Sequence, residues 1–246
     1  MLGILDSGLG GLSVWRELKN LSPEKGALYF ADNKRAPYGN LTKEKIFIYA
    51  KESIDHLIDL GATHIAIACH TIATTVGPLL KHCCKADILD IASHSTTLFP
   101  PSKKVAIIGT TATIHSKFYD RVLKERLASS TPCPNLVPMI ESGVIDNDII
   151  KKSLEGIHKD AEFLFLACTH FPLIKEHIQF FCPDLCLIDP AYSFAKVLLP
   201  YAKTGRDEFF ATKSPADFHT HASIFCPGKK VPFPFLIKSL YSPLIT

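Results

Sequence analysis

Two cysteines stand in matching surroundings. HIAIACHT (64–71) and FLFLACTH (163–170) both read as a short apolar run, then Ala-Cys, then a Thr and a His. Cys69 and Cys168 lie 99 residues apart. A run that is apolar on both faces is what a strand inside a parallel sheet requires. A thiol directly after such a strand and before a helix feels the positive end of the helix dipole, which favours the thiolate. Free cysteine titrates near ~8.5, so a modest depression makes it a useful base at neutral pH. Two such thiols on opposite walls of a cleft suit the inversion of a carbon acid. One takes a proton from one face, the other returns a proton to the opposite face, and the roles exchange in the reverse direction. Acid–base chemistry of this kind needs no cofactor. The competing reading treats both as small buried hydrophobes, as most free cysteines are.

Other polar residues fall at similar positions. Asp6 ends the first apolar run, where it either caps the next helix or orients a reacting group. Gly8-Leu9-Gly10-Gly11 is glycine-rich, but Ser13 breaks the GxGxxG pattern, which argues against a dinucleotide site. Pro37-Tyr38-Gly39 reads as a rigid turn. Glu141 is expected in a loop after Val137-Pro138-Met139-Ile140. His170 is either a helix-start residue or the acid partner of Cys168. Cys83, Cys84, Cys133, Cys182, Cys186 and Cys226 lack such a setting and read as structural. No CxxC occurs, and Cys182-x3-Cys186 lacks a second pair, so no metal is expected.

The elements that must position these residues follow from periodicity. The chain has 246 residues, of which 47% are hydrophobic and 21% charged, enough to bury a sizeable core. A net charge of +3 is too balanced for a nucleic-acid or membrane-surface protein. The first residues, Met1-Leu2-Gly3-Ile4-Leu5-Asp6, carry no signal-peptide pattern, which predicts a cytoplasmic protein with reduced thiols. Residues 60–80 have no Lys, Arg, Asp or Glu, but their Thr, Gly and Pro content reads as buried strand plus helix rather than a membrane span. Strands are predicted at 3–5, 27–31, 65–68, near Ile88, at 105–108 and at 163–167. Helices are predicted between them, one capped by Thr42 and stopped at Gly61, another running from Ile114 to Leu127. This alternation predicts a doubly wound α/β architecture. The pattern restarts after Pro100-Pro101, as expected of two similar units. The stretch after about Thr204 is poorly periodic. In open parallel sheets ligands sit beyond the carboxyl ends of the strands, which selects the loops at Asp6-Ser7, Cys69-His70-Thr71, Gly109-Thr110 and Cys168-Thr169-His170.

Six segments together resemble the glutamate racemases of the cofactor-independent aspartate/glutamate racemase family: LDSGLGGLSV (5–14), ADNKRAPYG (31–39), IACHTIA (67–73), VAIIGTTATIHSKFY (105–119), LVPMIESG (136–143) and LACTHFPLIK (166–175). They occur in the family's order and span most of residues 3–190. The resemblance implies two similar flavodoxin-like α/β domains with parallel sheets, residues 1–92 plus about 204–246 forming one and 93–203 the other. The active site would lie in the cleft between them. It implies interconversion of L- and D-glutamate without cofactor, supplying D-glutamate for peptidoglycan. Cys69 would take the α-proton of D-glutamate and Cys168 that of L-glutamate, assisted by Asp6, Glu141 and His170. Ser7, Pro37, Tyr38, Gly39, Thr71, Thr110 and Thr169 would surround the substrate, with His70 among them. Two departures stand out. The family's Cys-Asn-Thr is Cys69-His70-Thr71 here, and its Asp-Ser-Ala is Asp189-Pro190-Ala191. His70 would either assist Cys69 or crowd the substrate. The implied partner is the small-molecule substrate, with no nucleic acid and no membrane, and a homodimer is left open. The alternatives are a racemase for aspartate or another amino acid, a degenerate member that only binds, and, more distantly, a metal-binding protein.

Overall fold

The structure, a computed structural model, describes residues 1–237. The end of the segment assigned above to the first domain, residues 238–246, lies outside the described residues. Along the chain run β1 (Leu2–Asp6), α1 (Leu12–Leu21), β2 (Lys25–Gly26), β3 (Leu28–Ala31), α2 (Lys43–Asp59), β4 (His64–Ile67), α3 (His70–Cys83), β5 (Asp87–Asp90) and α4 (Ile91–Ser95). There follow β6 (Val105–Gly109), α5 (Thr111–His115), α6 (Phe118–Leu123), β7 (Leu127–Pro132), α7 (Leu136–Glu141), α8 (Asn147–Leu154), β8 (Phe163–Ala167), α9 (Lys175–Phe181) and β9 (Cys186–Ile188). Last come α10 (Ala191–Leu198), β10 (Lys203–Thr204), β11 (Glu208–Ala211), α11 (Pro215–Phe225) and β12 (Phe235–Leu236). Among the described residues no helix is long and apolar enough to cross a membrane.

Two parallel sheets organise these elements. One has the order β12-β11-β3-β1-β4-β5, the other β7-β6-β8-β9. Within both, the first strand of the unit lies between the second and the third. The repeat seen in the sequence is therefore a repeat of topology. It places a switch point between β1 and β4 and another between β6 and β8, where crossovers leave on opposite sides and a crevice opens. The central strands β1 and β6 are buried along their whole length, which explains their unbroken apolar character. Each fully buried Leu, Ile or Phe contributes about 1.5–3 kcal/mol relative to exposure. The units are also joined by packing: α10 lies against α1, and the apolar core runs on from the first sheet to Ile107 and Phe165 of the second.

Local signals hold where expected. The Thr42 side chain accepts from the Lys45 N–H at the start of α2, and Gly61 takes φ +91° just past its end. Two expectations fail. The helix predicted over 114–127 is broken by Lys117 and Lys124, which have φ of 54° and 52°. Leu127 instead opens the edge strand β7, whose sequence Leu-Ala-Ser-Ser-Thr-Pro is polar and half-buried, so it shows no strand periodicity. Glu141 is the last residue of α7 rather than a loop residue. The aperiodic stretch after Thr204 supplies β11 and β12, which extend the first sheet beyond β3.

Candidate active site

The carboxyl ends of β1, β4, β6 and β8 converge on one small enclosed pocket. Ser7 follows β1, Cys69 follows β4, Thr110 follows β6 and Cys168 follows β8, and all four line it. The turn of Pro37, Tyr38 and Gly39 closes one side, and His70, Thr71, Thr169 and His170 complete the wall. Asp6 and Glu141 do not line the pocket but stand directly behind residues that do. Val137, from α7, also lines it and carries no chemistry that sequence reading could have flagged.

On the first wall, Cys69 is 5% exposed and its Sγ lies 3.4 Å from Ser7 Oγ. It precedes the first residue of α3, as expected, but the helix dipole does not prevail. Burial pushes the thiol up to about 12, and the carboxylate of Asp6 adds to the rise. A cation brought into the pocket would reverse this, because an opposite charge within a few ångströms favours the ionised form.

The second wall is built differently. Cys168 Sγ lies 3.8 Å from His170 Nδ1, and His170 Nε2 lies 2.9 Å from Glu141 Oε1. Burial alone would push the His170 imidazole down. Its hydrogen bonds to Cys168 and Glu141 overcome this and raise it well above its ordinary value. Glu141 shows the complement: burial would raise it, but the bond to His170 keeps it low. The pair is therefore a partly buried imidazolium–carboxylate couple with its proton held on the ring beside the thiol.

Asp6 ties the walls together. Its Oδ1 accepts from the Gly8 N–H at 2.9 Å and its Oδ2 from the Thr169 hydroxyl at 3.1 Å. It also accepts from the backbone N–H of Gly11, the residue just before α1. Complete burial raises its carboxyl above the usual range. The glycine run beside it is explained by lack of space. A Cβ on Gly10 would sit 2.3 Å from Thr169 Oγ1 and 2.5 Å from His170 Nδ1, and one on Gly8 would sit 2.5 Å from Glu141 Oε1.

Hydroxyls line the remaining side. Thr71 Oγ1 lies 2.8 Å from Thr110 Oγ1, which caps α5 and reaches Thr113. Gly39 packs on Thr110, where a Cβ would come within 2.7 Å. Behind the turn, the Tyr38 hydroxyl donates to Asp32, which also accepts from Arg35 Nε at 2.5 Å and from the Thr212 hydroxyl at 2.9 Å. Arg35 bridges on to Glu52. This support was missed from sequence; an Asp ending a buried strand, with Arg three residues on, was its only signal.

The two departures from the family pattern share one setting. His70 Nδ1 lies 2.7 Å from the Tyr119 hydroxyl, its ring packs edge-on to Phe165, and burial lowers it to about 3, so it is neutral. His70, Asp189 and Pro190 line one narrow void beside Cys168. Among the described residues no group of three or more His, Cys, Asp or Glu converges as metal ligands. The pocket itself measures about 20 Å³, room for about one water. A groove of about 780 Å³ shares Gly39 with it but holds neither thiol. An amino acid can reach the thiols only if the units part or the Tyr38-Gly39 turn moves.

No family model matches the chain. A glutamate racemase of Aquifex aeolicus is 34% identical over 211 residues, covering 82% of this chain and 83% of that protein. Among solved structures, glutamate racemase from Francisella tularensis in complex with D-glutamate superposes with a TM-score of 0.88 at 29% identity, covering 97% of both chains. Glutamate racemase from Thermus thermophilus in complex with β-chloro-D-alanine superposes with a TM-score of 0.86 at 29% identity, covering 97% of this chain and 96% of the other.

Proposed function

The chain belongs to the glutamate racemase family, and from that premise we propose that it interconverts L- and D-glutamate by two-base chemistry at Cys69 and Cys168. The observation that carries the reading is the placement of two thiols, each after the third strand of its own sheet, in one enclosed pocket.

From D-glutamate, Cys69 as thiolate takes the α-proton, and the C–H electron pair passes into the α-carboxylate as an enediolate. The Cys168 thiol then returns a proton to the opposite face. The L isomer leaves with Cys69 as thiol and Cys168 as thiolate; before the next D-glutamate, Cys69 gives its proton to solvent and Cys168 takes one up, whereas L-glutamate is turned over by the same steps in reverse. Charge builds on the α-carboxylate, where the hydroxyls of Ser7, Thr71, Thr110 and Thr169 are suitable donors. The substrate's ammonium supplies the cation that the Cys69 wall lacks. His170, held by Glu141, delivers and recovers the proton of Cys168. Asp6 positions Thr169 and the turn at Gly8. The domain division of the sequence reading, 1–92 with about 204–246 against 93–203, places one thiol on each domain. The same reading makes the enzyme cytoplasmic, with D-glutamate for peptidoglycan as its product.

The test follows loss of optical rotation from either enantiomer with no cofactor added, and uptake of solvent deuterium at the α-carbon. Cys69→Ser and Cys168→Ser should each lose at least about a thousandfold in kcat, consistent with removing a main proton-transfer group. Racemisation that survives loss of both thiols would overturn the mechanism, and faster turnover of aspartate would overturn the substrate.

A further inference from the structure

A second cavity of about 720 Å³ lies at the far end of the first sheet. Arg206, just before the amino end of β11, lines it, whereas the thiol pair sits beyond the carboxyl ends of the parallel strands. Arg206, Lys229 and Lys230 surround it, and none of the three has an ion-pair partner among the described residues. Lys19 and Asp207 also line it but neutralise each other at 3.1 Å. Trp15 also lines it; the residue is 1% exposed, and its indole Nε1 is buried with no hydrogen-bond partner among the described residues. Buried donors nearly always have an acceptor, so an orphan beside a cavity marks a place where one is brought in from outside. Three cations without counter-charges and a neutral N–H donor select an anion rich in acceptor oxygens. The volume is that of a small-molecule site.

We propose that this cavity binds a phosphate-bearing small molecule, with Arg206, Lys229 and Lys230 pairing its charges and Trp15 Nε1 donating to one of its oxygens. The site lies apart from the thiol pocket and does not depend on the racemase reading.

Trp15 is the chain's one tryptophan, so its fluorescence and its single indole N–H resonance report on this cavity alone. The full chain is titrated with inorganic pyrophosphate and with glucose 6-phosphate, against sodium chloride at matched ionic strength. The expected result is a saturable emission change and a downfield indole N–H shift with at least one of the two, and neither with chloride. The tighter ligand tells a free phosphate from an organic one. Arg206→Ala and Lys229→Ala/Lys230→Ala should each raise the dissociation constant at least tenfold while leaving racemisation unchanged. All these residues except Lys229 are exposed, so the variants should fold. No saturable change with either ligand, or equal binding by the variants, overturns the proposal.

Discussion

At the scale of single residues, the two thiols are alike in position but not in support. Cys69 faces a serine hydroxyl and the charge of Asp6, whereas Cys168 faces an imidazole backed by Glu141. The His170–Glu141 pair carries a pH signature. His170 is raised above its ordinary 6.5, so its contribution to stability is complete below about 6.5 and is lost as pH rises through the raised value. Glu141 is held below its ordinary 4.5, so its contribution is complete above about 4.5 and is lost as pH falls through the lowered value. Glu141→Gln should therefore cost about 1.5–3 kcal/mol near neutral pH, the worth of a hydrogen bond to a charged group, and move the alkaline loss of stability to lower pH. Thermal melting across pH checks both. His70→Asn tests whether the imidazole obstructs the site or is part of it. The ring is bonded to Tyr119 and packed edge-on to Phe165, so the change should lower stability by about 1–3 kcal/mol through loss of that bond and of the ring's packing. It should leave kcat at or below that of the unchanged chain. A more active and equally stable variant would contradict this.

At the scale of elements, the site depends on close approach of short turns to the opposite unit. Gly10 and Gly39 are contact glycines: each touches a threonine of the second unit with no room for a methyl group. Gly10→Ala must displace Thr169 or His170, and with them the second thiol's partner. We expect a loss of about a hundredfold in kcat with a smaller change in melting temperature, since misplacing a reacting group by about 1 Å costs that much. Steady-state kinetics with unfolding curves separates the two effects. Strands and helices with strong periodicity were legible, because β1, β4, β6 and β8 are apolar on both faces and α2 has a cap at one end and a glycine at the other. The strands β7, β11 and β12 were not. β7 and β12 are edge strands, paired on one side only, and β7 is built of small polar residues, so its pattern resembles a loop. β11 pairs on both sides but is only four residues long. The break at Lys117 was equally hidden, since a lysine at positive φ leaves no trace in composition.

At the scale of the whole molecule, the pocket of about 20 Å³ implies that catalysis requires opening. Thiol labelling reads this motion. Cys83 and Cys186 are exposed, while Cys69 is buried with its thiol raised to about 12. Iodoacetamide at neutral pH should modify Cys83 and Cys186 well before Cys69. Saturating D-glutamate should slow Cys69 further without changing the rates at the other two. Peptide mass spectrometry gives the order, and early modification of Cys69 would show a pocket that stands open. Bound D-glutamate should also raise the melting temperature. A concentration of 100 times its dissociation constant corresponds to about 2.7 kcal/mol when the unfolded chain does not bind.

The sequence by itself determined the class of fold, the duplicated strand–thiol pattern and, through six ordered segments, the family. These are local properties: periodicity, caps and short runs are written in neighbouring residues. Only the tertiary structure decided which partner each thiol has. The Cys69–Ser7, Thr169–Asp6 and His170–Glu141 contacts join residues 62, 163 and 29 positions apart, and spacing carries no information about such distances. The structure also reversed one expectation. A helix start was expected to favour the Cys69 thiolate, yet removing the thiol from water outweighs the helix dipole, and burial is a property of the fold rather than of the residue.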